Sequence, residues 1–303
     1  MHLRYVALSL ALFLISAAPA SADPLPAPGD AGGAFLTGDN PPEHLYTFTG
    51  NGGIVHAVDP ELLDTEGTFT LDNVPTGATV ERALFITGIW DSAGSATNSM
   101  QFVFDGQDYG TEVADLIDQP DGEEELLDLA GYVIDVTADV PGNGTYAFSA
   151  VPDQGGTGSF GYLLAVVYSD PDAPVARIDL NFGAESLREN ASTTGFSTIE
   201  PGEATLYIFL EADQPDYSAG EESIAFNGTV IAGGEGSGLF DHNQGPACSF
   251  FELPVATVTG ENTSTITTGE DWIGWHYAAL VSPPAATSTE SRSWGSIKSG
   301  YRD

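Results

Sequence analysis

The chain reads as all-β: two tandem antiparallel β-sandwiches, jelly-roll or immunoglobulin-like, arising from an internal duplication. Three observations carry that reading. The sequence repeats itself: Ala83-Leu84-Phe85-Ile86 followed by Phe104-Asp105-Gly106 returns as Thr205-Leu206-Tyr207-Ile208 followed by Phe226-Asn227-Gly228. The offset is 122 residues at both anchors, and self-similarity at a fixed offset marks two copies of one supersecondary design. Short β-rich runs also alternate with Gly, Asp, Asn and Pro clusters about every ten residues, the cadence of an all-β domain. Finally, Thr68, Thr70 and Asp72 alternate with Phe69, Leu71 and Asn73 at the period of a half-buried strand, and Asn143-Gly144 is a strong hairpin signal.

Taken in order, residues 1–22 have the pattern of a secretory signal peptide. His2 and Arg4 precede the apolar run Tyr5 to Ile15, and Ala20-Ser21-Ala22 is a small-residue cleavage site. The run is shorter than the roughly 20 residues that span a bilayer. Residues 23–44 are a Pro- and Gly-rich leader expected to be flexible or extended. The first sandwich is expected over 45–171, with strands near 45–49, 54–58, 67–72, 79–90, 99–104, 131–137, 144–151 and 160–169. Glu123 to Ala130, rich in helix formers and opening on acids, suggests one short helix or an ordered loop. The stretch Asp170-Pro171-Asp172-Ala173-Pro174 separates the copies. The second sandwich is expected over 172–284, with strands near 176–182, 195–199, 203–211, 222–226, 228–232, 250–258, 262–267 and 274–281. Further matches between the copies slide in offset, as they do when gaps fall in loops while strands persist.

Charge is the next signal. The chain has 44 acidic residues against 7 basic ones, a formal net charge of −37. Such a surface repels nucleic acid and anionic headgroups. Three readings of the acidity stay open: adaptation to a salty medium, calcium binding by carboxylate-rich loops, and an ordinary acidic secreted surface. The tail 285–303 differs, since it carries Arg292, Lys298 and Arg302 beside Trp294 and Tyr301. This basic, aromatic tail is expected to dock on the acidic body of a second copy or on a cell-envelope component.

Few motifs carry chemistry. Asp118, Asp121 and Glu123 form one acidic loop, and Asp213, Asp216 and Glu221 another with the same Asp-Gln-Pro-Asp core. Clustered carboxylates can supply the six to eight oxygens calcium takes, and both loops also read as solvated turns. His44, His56, His242 and His276 are isolated in sequence, without zinc spacing. No serine sits in G-x-S-x-G. Trp90, Trp272 and Trp275 read as core, with a sugar-stacking face as the alternative. Asn143, Asn190, Asn227 and Asn262 fit the glycan-acceptor pattern. Cys248, the single cysteine, excludes an intrachain disulfide and reads as a small buried hydrophobe.

The order Gly77-Ala78-Thr79, Leu84-Phe85-Ile86, Phe102 to Gly106, Asp135-Val136-Thr137, Gly142 to Tyr146 and Leu163 to Tyr168 resembles an uncharacterised domain of secreted surface proteins in methanogenic archaea and some bacteria. The resemblance covers about residues 45–282 and implies a β-sandwich fold with no activity to transfer. The segment 293–302 is similar to the C-terminal ends of many secreted bacterial proteins. The sequence thus predicts an exported, extracellular or cell-surface, non-enzymatic structural or adhesive module. The alternative is a calcium-dependent carbohydrate-binding module, and a hydrolase with dispersed carboxylates comes third.

Overall fold

The computed structural model describes residues 40–60, 63–92, 99–118, 127–153, 159–198, 200–211, 222–234, 239–240, 248–269 and 273–283. Among them are seventeen strands and one short 3-10 turn at Thr137–Asp139. The strands are β1 (Glu43–Asp59), β2 (Glu66–Leu71), β3 (Thr79–Ser92), β4 (Ser99–Phe104), β5 (Gln107–Val113), β6 (Leu116–Asp118), β7 (Leu127–Asp135), β8 (Gly144–Pro152) and β9 (Tyr162–Ser169). They continue with β10 (Val175–Leu187), β11 (Ala191–Thr198), β12 (Gly202–Glu211), β13 (Ser223–Phe226), β14 (Thr229–Gly233), β15 (Cys248–Thr257), β16 (Gly260–Thr267) and β17 (Ile273–Ser282).

All pairings are antiparallel. A nine-stranded sheet runs β15-β12-β17-β10-β1-β9-β3-β7-β6, and two four-stranded sheets run β2-β8-β4-β5 and β11-β16-β13-β14. The order β1-β9-β3-β7 over β2-β8-β4-β5 recurs as β10-β17-β12-β15 over β11-β16-β13-β14. Each set holds eight antiparallel strands. The anchors that repeat in sequence fall on equivalent strands, β3 with β12 and β4 with β13.

β1 joins the halves. Glu43 to Asn51 pairs with β10, and Gly52 to Asp59 pairs with β9. The change of partner falls in Gly50-Asn51-Gly52-Gly53. A Cβ on Gly52 would lie 2.0 Å from the Tyr168 carbonyl oxygen, and one on Gly53 would lie 2.5 Å from the Tyr168 hydroxyl. The strand can cross its neighbour this closely only without side chains there. The turn after β9 is tied to the same point, because Asn51 Nδ2 donates to the Ala173 carbonyl at 2.7 Å.

Alternation builds three cores from two kinds of strand face. One face of β3 and β9 (Phe85, Leu164, Val166) meets Phe69, Phe102, Phe104 and Phe148 of the first small sheet. Leu206, Ile208, Trp275 and Leu280 likewise meet Phe196, Phe226 and Ile266 of the second. The remaining faces of the two halves, through Leu84, Leu163, Ile178, Phe209 and Tyr277, pack on each other. Four β layers result, with a seam in the middle. Strands such as β9 are therefore buried on both faces, which is why Leu163 to Val167 reads as a continuous apolar run.

The structure corrects several expectations. The two runs near 45–49 and 54–58 are one strand, shared between the halves. The segment expected as a helix or loop over Glu123–Ala130 is strand from Leu127 on, because Leu129 and Ala130 are fully buried and pair with β3. Residues 123–126 lie outside the described residues. The polar strand β5 and the three-residue β6 had no apolar alternation to announce them.

Candidate functional site

The seam between the halves holds one connected group of buried polar residues. Gly88 of β3 and Gly131 of β7 are cross-strand partners. A Cβ on Gly88 would lie 2.2 Å from His276 Nε2 and 2.8 Å from Glu211 Oε2, and one on Gly131 would lie 2.8 Å from the Ala184 Cβ. The glycine pair is a hollow in one layer that receives His276 and Ala184 of the other. Glu211, the last residue of β12, enters the same hollow. Its Oε1 accepts from Gly88 N at 2.8 Å, and Phe160 N donates to the same carboxyl group. Its Oε2 lies 3.5 Å from His276 Nε2. His276 Nδ1 lies 3.2 Å from the Gly183 carbonyl. A carbonyl only accepts, so Nδ1 is the nitrogen that donates there. Burial pushes the Glu211 carboxyl above the usual carboxylate range, while His276 and the Gly88 N–H pull it back down. Thr87 and Ser159 extend the network, with hydroxyls 2.7 Å apart and Thr87 Oγ1 3.5 Å from Glu211 Oε1.

Both side chains of the Glu211–His276 pair are 0% exposed. The pair bridges two layers, with Gly88 of β3 on one side and β12 and β17 on the other. A buried pair of this kind is costly to break, roughly 3–5 kcal/mol when one partner is lost.

Towards solvent the seam ends in an aromatic rim. His56 of β1 packs on Tyr207 of β12 at 4.6 Å between ring centroids and on Phe250 of β15 at 5.0 Å. Tyr207 and Phe250 are 6.2 Å apart with planes 27° from parallel. His56, Tyr168, Tyr207 and Phe250 are half-buried and Glu252 is exposed. Burial raises the Tyr277 phenol well above its usual range, and its hydroxyl lies 2.8 Å from His56 Nε2. Burial lowers His56 to about 3, so its imidazole is neutral at ordinary pH. Burial, with Glu252 beside it, pushes Tyr207 up to about 12.

Of the residues singled out for calcium, only Asp118 is among those described. It is buried, and its Oδ2 accepts from Ser186 N at 2.7 Å. Asp121, Glu123, Asp213, Asp216 and Glu221 lie outside the described residues, as do Arg292, Trp294, Lys298, Tyr301 and Arg302. Among the described residues no group of three or more His, Cys, Asp or Glu could hold a metal ion. Trp90, Trp275 and Cys248 are buried. The acceptor Asn262 is fully buried, and its amide is bound to Thr198 and Val258. Glu211 and His276 were missed as a pair because they are 65 residues apart in sequence. Their signal was polarity inside apolar strands, with Gly88 interrupting a third.

Fold and seam together define an all-β protein of large antiparallel sheets packed layer on layer. The chain belongs to the DUF3344 family of proteins of unknown function, whose model matches residues 36–281. No curated protein matches it. Similar solved structures include peptide:N-glycanase F, 11% identical, with 77% of this chain and 96% of that one covered at a TM-score of 0.25. The β-porphyranase BpGH86A of glycoside hydrolase family 86, from the human gut bacterium Bacteroides plebeius, is 12% identical, with 81% and 37% covered at a TM-score of 0.23. The major capsid protein of bacteriophage PM2 is 12% identical, with 76% and 97% covered at 0.25. The chain spans about a third of the family 86 structures it matches. At such scores these likenesses carry no argument about activity. No helix among the described residues is long and apolar enough to cross a membrane.

Proposed function

We propose that the chain is an exported structural or adhesive cell-surface module, acting without catalysis, built by duplication as two tandem jelly-roll sandwiches fused along one seam. The observation that supports this best is the Glu211–His276 pair: an acid and a base are sealed at 0% exposure and hold layers together. Residues 1–22 would direct export, and the tail bearing Arg292, Trp294, Lys298, Tyr301 and Arg302 would attach the acidic body to a second copy or to the cell envelope. Envelope sedimentation tests the reading. The full chain co-sediments with envelope preparations of the producing cells, and a chain ending at Pro284 does not. Equal behaviour of the two overturns the tail assignment. Turnover of a polysaccharide or peptide that disappears in Glu211→Gln, with the unfolding midpoint kept, overturns the non-enzymatic reading.

A carbohydrate-binding reading is favoured by the aromatic rim. Its calcium component would fall to the acidic loops around 118–125 and 213–222, where Asp118 is already engaged with Ser186.

A further inference from the structure

We infer that the rim of the seam formed by His56, Tyr168, Tyr207, Phe250 and Glu252 is a binding site for a neutral hexopyranose of a glycan. The inference rests on the adhesive reading and gives it a ligand. A pyranose offers one face of C–H groups and an edge of hydroxyls, so it needs aromatic surface with a few polar groups beside it. The rim has that composition. Tyr207 and Phe250 stand on paired strands with near-parallel planes, 27° apart. Glu252 is exposed directly across the ladder from Tyr207 and hydrogen-bonds its phenol, which puts a two-oxygen acceptor for sugar hydroxyls at the edge of the rings. Tyr168 lies over Gly53, its hydroxyl 2.5 Å from where a Cβ would be. A side chain at position 53 would displace that phenol, so the glycine sets the ring's position.

The ligand's charge follows from the surroundings. A body carrying a net charge of −37 repels anionic sugars. The His56 imidazole at the site is neutral at ordinary pH. Tyr207 and Phe250 pack against the seam core beside Leu45, Val58 and Val281 and stay half-buried, so each ring keeps an outer part at the rim.

The test is isothermal titration of the full chain with hexasaccharides of glucose, mannose, galactose and N-acetylglucosamine, in EDTA. At least one binds. Phe250→Ala weakens it about tenfold, the size of one lost stacking contact. Glu252→Gln, at an exposed position, weakens it severalfold with an unchanged unfolding midpoint, and Tyr109→Phe on the outer sheet binds like the parent. Absence of binding to all four at millimolar sugar, or Phe250→Ala and Glu252→Gln binding like the parent, overturns the site. Envelope adhesion measured on the same samples separates the two claims: adhesion without sugar binding removes the site alone, and loss of both removes the adhesive reading as well.

Discussion

Gly88 has to be glycine because a neighbouring layer occupies the space of its side chain. A methyl group there would meet His276 Nε2 at 2.2 Å and Glu211 Oε2 at 2.8 Å, and both atoms belong to a pair that cannot swing into solvent. Gly88→Ala should therefore cost about 3 kcal/mol, the upper range for overpacking, read as a lower urea midpoint at unchanged slope. His56 gives a second prediction at this scale. Its folded pKa is about 3 against 6.5 for the free side chain, so between those values the unfolded chain binds more protons. Its contribution to stability is complete above pH 6.5 and is lost as pH falls towards 3. His56→Gln should flatten that part of the stability profile, measured by urea unfolding at steps from pH 7 to pH 4. A profile as steep as the parent's would mean that other groups cause the acid loss. Neither role was legible in the sequence. His56, Glu211 and His276 are isolated along the chain, and only the packing of two layers that share no local contact brings them to their partners.

At the scale of elements much was legible, because each strand's own face pattern writes it. Phe69 and Leu71 are buried and Thr68 and Thr70 exposed, as alternation required. The repeated segments are strands: Leu84–Ile86 lies in β3 and Leu206–Ile208 in β12. What sequence could not supply was the partner of each strand. A bend in a single strand and a turn between two strands carry the same Gly-Asn-Gly-Gly signature, so β1 read as two elements. The bend yields a direct test. A Cβ on Gly52 would sit 2.0 Å from a backbone oxygen, and backbone cannot step aside as a side-chain tip can. Gly52→Ala should cost about 3 kcal/mol or more and lower hydrogen-exchange protection across Gly52–Asp59 and β9. Gly106→Ala, in the open turn after β4 where a Cβ meets nothing within 4 Å, should leave those amides protected and cost only its positive-φ strain, about 1 kcal/mol.

For the whole molecule, shared β1 and the buried seam predict one cooperative transition. Calorimetric and van't Hoff enthalpies should agree for the region 40–283, and two separated transitions would show that the halves are energetically independent. The acidity makes its own prediction. With a net charge of −37, the midpoint should rise in molar sodium chloride as self-repulsion is screened. Millimolar calcium at matched ionic strength should add nothing unless the acidic loops bind it in the folded state. A calcium-specific rise would support the metal assignment at Asp121, Glu123, Asp213, Asp216 and Glu221.

The double allegiance of β1 also sets a timetable. Every ladder partner of this strand lies about 100 residues or more downstream, from Tyr162 opposite Asp59 to Phe182 opposite Glu43, and closing such long loops slows folding. During synthesis β1 is the first of the described strands to be made, and its ladder partners follow only when about half of the chain exists. A nascent chain interrupted before residue 160 therefore has no native register for its opening strand, and remains pliable for as long as its later half is missing.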